Sequence, residues 1–387
     1  MTYTGNGTKK KILFITGTRA DYGKLKSLML RVQRHPAMEL QLFVTGMHML
    51  SQYGSTYREI EKDGFINLYK FMNQRMNQPM DITLSNTILG LGIYIAENRP
   101  DLIVVHGDRV EALAAAIVGA LNNIRVAHIE GGEVSGTIDE SIRHAITKFA
   151  HIHLVSNYEA KKRVMQLGEK ENTIFVLGSP DIDIMYSKNL PSIDEVKAHY
   201  EINFKRYAIL MYHPVVTELD KLRSNIRSVV DAILASDDNY VVIYPNNDEG
   251  SQVILDEYAR IKGKQNIRLF PSIRFEYFLT LMKNAEYLIG NSSAGVREAE
   301  VYGIPSIDIG TRQSGRYDRT RSKNIIHTDE DVGHILNAIK VAKNMRTEPQ
   351  STFGNGKSDE TFIKLLESHE IWETEIQKRF ISYENLM

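Results

Sequence analysis

Short apolar runs recur along the first half of the chain, each followed by a polar or glycine-containing turn and a stretch with helical periodicity. They cover residues 12–15, 42–44, 102–105, 126–129 and 152–155. Continuous apolar runs without alternation are typical of parallel strands that are buried on both faces. The first half is therefore predicted to fold as βαβ repeats around a parallel sheet.

The second half contains a second series of such runs, separated by amphipathic stretches such as 253–261 and 275–282. The runs cover residues 208–211, 241–244, 267–269, 287–289 and 306–309. The two series predict an α/β protein with two doubly wound domains. Ligands bind beyond the carboxyl ends of parallel strands, so the predicted site lies in a cleft between the two sheets.

Composition along the chain sets the predicted domain boundaries. The first domain is placed at 1–180 and the second at 181–360, with the linker inside the polar stretch 180–200. Residues 343–360 lack a helical or strand period and predict a mobile surface segment. An apolar helical rhythm then returns, so 361–387 is expected to form a helix that packs back on the body.

Composition also excludes several classes of function. The 387 residues carry a formal net charge of −1, which lacks the positive excess that binding nucleic acid requires. Without cysteine, disulfides, thiolate catalysis and cysteine-ligated metals are excluded. The N-terminus lacks the pattern of a signal peptide and no apolar run reaches about 18 residues. We expect a cytoplasmic protein with neither a nucleic-acid nor a membrane partner.

The first predicted strand is followed by the glycine-containing loop GTRADYGK at residues 17–24. Amides at the start of the following helix, together with Arg19 and Lys24, are suited to hold an anion such as a diphosphate. The alternative is an ordinary turn whose basic residues are solvated. The glycine pattern of dinucleotide-binding loops is not present.

Acidic motifs follow two neighbouring strands of the first half, HGDR at 106–109 and HIEGGE at 128–133. Because the carboxyl ends of parallel strands meet at one edge, Asp108 and Glu130 should lie close together near the cleft. Asp108 also has a structural alternative as the N-cap of a helix.

Asp139 opens the next predicted helix, which presents His144 about one turn later and continues to residue 149. Asp139 has an alternative as a helix cap, and Glu140 has one as a first-turn residue favoured by the helix dipole. His144 is either a substrate contact or a structural histidine. His151 and His153 have a spacing that can bind a metal, but no third ligand is adjacent. We predict hydrogen-bonded structural histidines and no metal site.

Polar motifs also follow four strands of the second half. The clearest is GNSSAGVRE at 290–298, in which Ser292 and Ser293 contribute to a cup of donors ahead of a helix. Glu298, placed about two turns into that helix, either accepts from the hydroxyls of a ribose or is a solvated charge. Two further motifs, YHPV with His213 and PNND with Asn246, could also be ordinary turn chemistry. The fourth motif, GTRQ, ends another strand and directs Arg312 toward the same cup.

Taken in order, these blocks resemble the UDP-N-acetylglucosamine 2-epimerase family, and specifically its hydrolysing branch. The resemblance spans nearly the whole chain and rests on GTRADYGK, TGMH, HGDR, HIEGGE with SGTIDESIRHAITK, GSPD, HPV, PNND, GNSSAGVRE and GTRQ. It implies two Rossmann-like domains of the glycosyltransferase-B kind, with UDP held mainly by the second domain and sugar chemistry performed mainly by the first. The non-hydrolysing branch typically has a Pro-Glu pair where this sequence has Ala20-Asp21, which favours the hydrolysing branch.

The resemblance also implies roles for individual residues. The implied catalytic residues are Asp108, Glu130, Asp139, His48 and His213. The implied substrate ligands are Arg19, Asp21, Lys24, Arg109, His213, Asn246, Ser292, Ser293, Glu298 and Arg312. No cofactor and no metal are implied. The implied partners are a UDP-sugar substrate and further copies of the chain, in a homodimer or homotetramer.

The expected reaction converts UDP-N-acetylglucosamine into free N-acetylmannosamine and UDP, as in the bacterial sialic-acid pathway. UDP leaves by elimination to 2-acetamidoglucal, which is then hydrated, and we expect Asp108 or Glu130 to act in elimination and Asp139 in hydration. A close rival is the same chemistry on UDP-2,4-diacetamido-2,4,6-trideoxyglucose, as in the legionaminic-acid route, because these motifs do not locate the residues that contact C4 and C6. Two rivals of a different class are a glycosyltransferase on the same fold and a nucleotide-sugar-binding regulatory module.

Overall fold

The computed structural model of the chain describes residues 9–382, with the exception of 318, 320, 321 and 351. These residues form two parallel-sheet α/β domains, with helices packed on both faces of each sheet. The two-domain α/β prediction is confirmed. None of the helices in this part of the chain combines the length and apolarity that crossing a membrane requires.

The first sheet contains seven strands. They are β1 (Lys10–Thr16), β2 (Met38–Val44), β3 (Leu68–Lys70), β4 (Leu102–His106), β5 (Arg125–Ile129), β6 (Ile152–Val155) and β7 (Ile174–Val176). Their spatial order is β3-β2-β1-β4-β5-β6-β7, and every pairing is parallel. The helices of this half are α1 (Arg19–Arg34), α2 (Tyr57–Lys62), α3 (Met80–Asn98), α4 (Val110–Leu121), α5 (Ile138–Phe149) and α6 (Tyr158–Gln166).

The second sheet contains six strands. They are β8 (Ala208–Met211), β9 (Tyr240–Ile243), β10 (Ile267–Phe270), β11 (Leu288–Gly290), β12 (Ser306–Ile309) and β13 (Ile325–Thr328). Their order is β10-β9-β8-β11-β12-β13, again all parallel. The helices of this half are α7 (Pro180–Met185), α8 (Ile193–His199), α9 (Leu219–Ser236), α10 (Ser251–Tyr258), α11 (Phe275–Lys283), α12 (Glu298–Tyr302) and α13 (Val332–Asn344).

Local sequence explains the helix that begins beside the predicted anion loop. Thr18 is the N-cap of α1: its hydroxyl accepts from the amide of Asp21, and the Asp21 carboxylate accepts from the amide of Thr18. This reciprocal capping box satisfies amides that have no partner inside the helix. The Asp21 carboxylate therefore fixes the loop that precedes α1, whatever else it contacts.

The chain passes between the domains twice, and the two passages touch. The amide of Ser179 donates to the carbonyl of Phe353 at 2.7 Å. Gly178 (φ +85°) and Gly354 (φ +149°) both adopt left-handed backbone at this contact, which glycine accepts without the steric penalty of a β-carbon. The stretch 180–200, which was predicted to contain the linker, includes α7 and α8. The segment predicted to be mobile includes Phe353, which packs against the body.

After the second passage, two further helices return to the first domain. They are α14 (Ser358–Glu367) and α15 (Glu370–Glu373). Phe362 is 1% exposed and its ring lies edge-on to Phe14 of β1, with a centroid separation of 6.0 Å. Leu366 and Ile371 belong to the same core cluster. The end of the chain thus completes the hydrophobic core around β1.

Candidate functional site

A cavity of about 310 Å³ lies between the carboxyl ends of the two sheets. The loops that follow β1, β2, β4, β5, β8, β9, β10, β11 and β12 contribute residues to its wall. Every predicted site residue except His48 lines the cavity. Those residues are Arg19, Asp21, Lys24, Asp108, Arg109, Glu130, Asp139, His213, Asn246, Ser292, Ser293, Glu298 and Arg312.

His48, implied as a catalytic residue, lies behind the cavity wall and does not line the cavity. The side chain has no exposure, and its ring nitrogens pair with the hydroxyls of Thr16 at 3.0 Å and Thr56 at 2.6 Å. Burial lowers the pKa of His48 to about 4, so the ring is neutral at physiological pH. Thr16 also donates to Asp21 at 2.7 Å, and Nε2 of His48 itself lies 4.0 Å from the Asp21 carboxylate, so His48 is connected to the cavity through Asp21.

Glu130 is held by charges from both domains. Arg297 of the second domain donates to both of its carboxylate oxygens, at 2.8 Å and 2.6 Å, and Ser179 donates to one of them. His106 lies 3.2 Å from the other oxygen. Burial opposes ionisation, but Arg297, His106 and Lys24 together lower the Glu130 pKa well below its usual value.

The backbone of Glu130 is also unusual. Its φ of +65° lies in the left-handed region, which costs a non-glycine residue about 1 kcal/mol or more. Strained backbone of this kind persists where the surroundings over-determine it, and it is concentrated at functional sites. The strain sits at the carboxyl end of β5, where it helps to direct the carboxylate into the cleft.

Asp108 is held by arginines of the first and second domains. Arg143 of α5 donates to its carboxylate, and Arg316 lies 3.9 Å away. Burial opposes ionisation, but Arg143, Arg316 and further arginines lower the Asp108 pKa to about 2. The alternative as a helix cap is wrong, because the N-cap of α4 is Arg109.

Asp139 has the opposite electrostatic environment. It lies in the first turn of α5, where Thr137 is the N-cap and donates its hydroxyl to the Asp139 carboxylate at 2.9 Å. Burial and the neighbouring Asp108 charge raise the Asp139 pKa, although Arg312 lies 3.5 Å from the carboxylate. The cavity therefore combines two carboxylates that stay ionised with one that is more readily protonated.

The predicted cationic ligands bridge elements or domains. Arg109 contacts Asp248 at 2.9 Å, and Lys24 contacts Glu298 at 2.9 Å. Both pairs join the first domain to the second. Arg19 pairs with Glu59 and donates to Ser272 at 2.6 Å. These cations reach the cavity wall with their charges already matched by carboxylates.

The second domain presents a neutral imidazole and two unsatisfied acceptors. Nδ1 of His213 accepts from the amide of Asn246 at 3.1 Å, which leaves the proton on Nε2. Burial lowers the His213 pKa well below 6.5, so the ring is a neutral donor. Oδ1 of Asn246 and Oε2 of Glu298 are buried and have no hydrogen-bond partner among the described residues. Glu298 is the first residue of α12, not two turns into a helix as predicted.

Several lining residues were not predicted as site residues, although they lie inside or beside the same motifs. Arg297 precedes Glu298, Glu133 ends HIEGGE, and His106 opens HGDR. Arg143 and Arg316 also line the cavity. Burial, together with the nearby Arg143, lowers the pKa of Arg316 to about 10, although Glu133 and Asp108 act in the opposite direction. A motif at the end of a strand thus indicates a site, but it does not indicate which residues of the motif face the cavity.

The remaining histidines of the sequence analysis lie elsewhere. His144 does not line the cavity, and its Nε2 lies 3.5 Å from Glu140 one turn earlier. His151 bonds the amide of Val126 and the carbonyl of Ile376. His153 is buried and pairs with Glu169 at 3.1 Å. Each ring therefore has structural partners in the surrounding protein.

The fold and the cavity together define the chain as a two-domain α/β protein whose site lies between facing parallel sheets. Residues 30–367 match the family described as UDP-N-acetylglucosamine 2-epimerase. The protein of that name from Neisseria meningitidis serogroup B is 48% identical over 376 residues, covering 96% of this chain and 99% of that protein. The chain belongs to the UDP-N-acetylglucosamine 2-epimerase family.

Two further comparisons agree with this membership. The UDP-N,N'-diacetylbacillosamine 2-epimerase (hydrolyzing) of Legionella pneumophila is 33% identical over 368 residues, covering 93% of this chain and 96% of that protein. The Methanocaldococcus jannaschii UDP-GlcNAc 2-epimerase, in complex with UDP-GlcNAc and UDP, superposes with a TM-score of 0.80 at 22% identity. That superposition covers 92% of this chain and 99% of the other. The predicted fold class of two Rossmann-like domains of the glycosyltransferase-B kind is confirmed.

Proposed function

We propose that this protein is a hydrolysing 2-epimerase that converts UDP-N-acetylglucosamine into N-acetylmannosamine and UDP. The observation that carries the proposal is the meeting of Asp108, Glu130 and Asp139 with Ser292, Glu298 and Arg312 in one cavity. The carboxylates of the first domain face residues of the second domain that are suited to bind a nucleotide. The reaction requires both, because the sugar and the nucleotide belong to one substrate. The 48% identity to a UDP-N-acetylglucosamine 2-epimerase supports this sugar over the diacetamido sugar, for which the named relative is 33% identical.

Nucleotide binding is proposed for the second-domain wall. The buried acceptors Asn246 Oδ1 and Glu298 Oε2 lack donors within the described chain, and ribose hydroxyls or a base N–H supply the missing partners. Arg316, whose pKa is lowered to about 10, gains from an anion placed beside it. A diphosphate between Arg109, Arg312 and the amides around Ser292 provides that anion.

The first chemical stage is loss of UDP. The C2 proton is not acidified by a ring carbonyl, so departure of the diphosphate from C1 drives the elimination, and the cations that hold the leaving group lower its barrier. A carboxylate removes the C2 proton as the bond between C1 and the leaving oxygen breaks. The products of this stage are UDP and 2-acetamidoglucal. The base must be ionised, which Asp108 and Glu130 satisfy.

The second stage adds water across the double bond. A hydroxyl bonds to C1, and a proton is delivered to C2 from the face opposite to the one it left. One group cannot serve both faces, so a second acid is needed. Asp139 is the carboxyl whose pKa is raised, which favours it as that proton donor. The protein is also proposed to act as a homodimer or homotetramer.

The test is proton NMR of the purified protein with UDP-N-acetylglucosamine in deuterated water. Free N-acetylmannosamine carrying deuterium at C2, together with UDP, is the expected result. UDP-N-acetylmannosamine as the product contradicts the hydrolysing assignment. Transfer of the sugar to an acceptor identifies a glycosyltransferase. The absence of any turnover contradicts an enzymatic role and favours a nucleotide-sugar-binding module.

A variant links this reaction to the proposed base. Asp108→Asn should lower turnover by about 10²–10⁴-fold, the usual contribution of one acid or base, while UDP affinity by calorimetry changes little. Asp194→Asn, at an exposed position on α8, is the matched control and should keep normal turnover. Nearly normal turnover by Asp108→Asn removes that residue from the mechanism.

A further inference from the structure

Glu111 is a buried carboxyl group that the proposed reaction does not use. It lies in the first turn of α4, two residues after the HGDR motif, and is 2% exposed. Neither of its oxygens makes a hydrogen bond of ordinary geometry within the described part of the chain. The helix dipole favours an acidic residue in the first turn, but burial of an unpaired carboxyl group destabilises a fold. The position in the helix therefore does not explain the burial.

The backbone around Glu111 leaves room for its carboxyl group. A β-carbon added to Gly46, whose φ is +63°, would lie 2.8 Å from Oε1 of Glu111, and one added to Gly17 would lie 3.2 Å from its Cδ. Both glycines follow strands at the carboxyl edge of the first sheet, after β2 and β1. Their neighbours Thr18 and Met47 line the cavity. The carboxyl group thus lies directly behind the cavity wall.

The cation beside Glu111 is Arg109. Nε of Arg109 lies 3.8 Å from Oε2 of Glu111, beyond the ~2.7–3.2 Å of an N–H···O hydrogen bond. This Nε is itself buried and has no hydrogen-bond partner among the described residues. Nη1 of the same side chain donates to Asp248 of the second domain at 2.9 Å. Arg109 is therefore held from across the cleft on one side, while an unpaired donor and an unpaired acceptor lie close together on the other.

We propose that Glu111 is the positioning residue that holds Arg109 when a nucleotide diphosphate is bound. The inference rests on the proposed nucleotide site, in which Arg109 contacts the diphosphate. An anion beside Arg109 repels the Asp248 carboxylate and competes with it for the same guanidinium group. Once Asp248 is displaced, Nε of Arg109 closes the gap to Glu111 and donates to Oε2. The guanidinium group then stays directed at the diphosphate.

The surrounding groups support this change of partner. Asp248 also accepts from the side-chain amide of Asn246, so it keeps a partner in its own domain after it releases Arg109. Burial raises the pKa of Glu111, and the positive charge of Arg109 opposes that effect. A closer Nε stabilises the ionised carboxylate further. The movement that frees Arg109 from Asp248 thus also gives the buried carboxyl group the partner that it lacks.

The test compares UDP affinity, measured by calorimetry on the full chain, with thermal stability. Glu111→Leu removes the acceptor and should weaken UDP binding about tenfold, the usual effect of one hydrogen bond to a charged group. Its Tm should equal or exceed that of the unmodified protein, because an apolar side chain replaces an unpaired buried carboxyl group. Glu111→Gln is the matched variant. It keeps an oxygen that accepts from Nε, so its UDP affinity should stay within about threefold of the unmodified protein.

Two further measurements show whether Glu111 acts through Arg109. In an Arg109→Met background, Glu111→Leu should change UDP affinity by less than about twofold, because the donor that it positions is gone. Affinity for uridine, which has no diphosphate, should be the same in Glu111→Leu and the unmodified protein.

Three results overturn the role of Glu111 and leave the nucleotide site in place. They are unchanged UDP affinity in Glu111→Leu, an equal loss of UDP affinity with and without Arg109, and a loss of uridine affinity as large as that for UDP. The absence of UDP binding by the unmodified protein is a different result. It overturns the proposed nucleotide site, and the role of Glu111 with it.

Discussion

At the scale of single residues, the central feature of the site is a carboxylate whose charge is set from across the cleft. Glu130 belongs to the first domain, yet the largest attraction that stabilises its ionised form comes from Arg297 of the second. Arg297 is itself buried and also contacts Glu133 at 2.7 Å. Removing one member of a buried pair leaves the other desolvated and uncompensated. Arg297 therefore acts as a positioning residue for Glu130.

Replacing Arg297 should change the pH dependence of the reaction. With Arg297 present, the Glu130 pKa lies well below 4.5, so its carboxylate stays ionised through the neutral range. In Arg297→Met, the largest attraction is lost and burial is opposed only by His106 and Lys24, so the Glu130 pKa rises. If Glu130 removes the C2 proton, the acidic limb of kcat/KM moves to higher pH, with about a tenfold loss for each pH unit below the new pKa.

The control for this prediction is Arg297→Lys, which keeps a positive charge near Glu130. Its acidic limb should remain near that of the unmodified protein even if absolute activity falls. The measurement is a full pH–rate profile of kcat/KM for all three proteins. An unshifted limb in Arg297→Met assigns the proton removal to a group other than Glu130.

At the scale of elements, the sequence predicts the interior of each sheet better than its borders. Each of the ten predicted apolar runs overlaps a strand, while β3, β7 and β13 were not predicted. Each of these three is an edge strand of three or four residues, and each is only partly buried. The continuous apolar run arises when both faces and both edges of a strand are covered. An edge strand does not meet this requirement, so its signal is less regular: β3 and β13 include polar residues, whereas the edge strand β10 was predicted and β7 is apolar throughout.

The last helices show a second limit at this scale. Their amphipathic rhythm predicts packing on the body, but does not say on which domain. In the structure, α14 covers β1 and α1 of the first domain, because the chain crosses back beside Gly178 and Gly354. A partner that distant in sequence cannot be inferred from local periodicity.

Phe362→Ala tests whether this return helix is part of the first-domain core. The side chain is 1% exposed against Phe14, so its loss should destabilise the fold by about 3–5 kcal/mol. The chain has one tryptophan, Trp372, which packs against the same cluster, so its fluorescence during urea unfolding reports on this region. Lys364→Ala, on the exposed side of α14, should change stability by less than about 0.5 kcal/mol. Equal stabilities for the two variants contradict the packing described here.

At the scale of the whole molecule, the site exists only where two domains meet. The sequence predicts which strand ends carry polar motifs, because each motif is local. It does not predict the pairs Arg297–Glu130, Lys24–Glu298 and Arg109–Asp248, because each joins residues more than 130 positions apart. These pairs hold the two sheets face to face. Ligands that carry their own charges compete for the same partners, which couples binding to the relative position of the domains.

The relative position of the two domains can be measured with spin labels, because the sequence contains no cysteine that would be labelled in addition. Lys162→Cys on α6 and Lys221→Cys on α9 place one exposed spin label on each domain. Double electron–electron resonance measures the distance between the two spin labels. Labelled chains are diluted with unlabelled ones so that the measured distance is the one within a single copy. In the otherwise unmodified chain, the distribution should be narrow. Adding Lys24→Met and Arg297→Met removes two cross-cleft cations, so the domains should separate about the Gly178 and Gly354 passage and the distribution should broaden to longer distances.

The matched control removes a cation that does not cross the cleft. Arg206 is exposed and pairs with Glu286 inside the second domain, so Arg206→Met should leave the inter-domain distance unchanged. A distribution in the Lys24→Met and Arg297→Met background that matches the control means that packing, not charge, holds the domains together. In that case the pH effect of Arg297 is confined to Glu130. If the distribution broadens, Arg297 both keeps Glu130 ionised and helps to keep the cleft closed. The proposed chemistry then requires the two domains to be in contact.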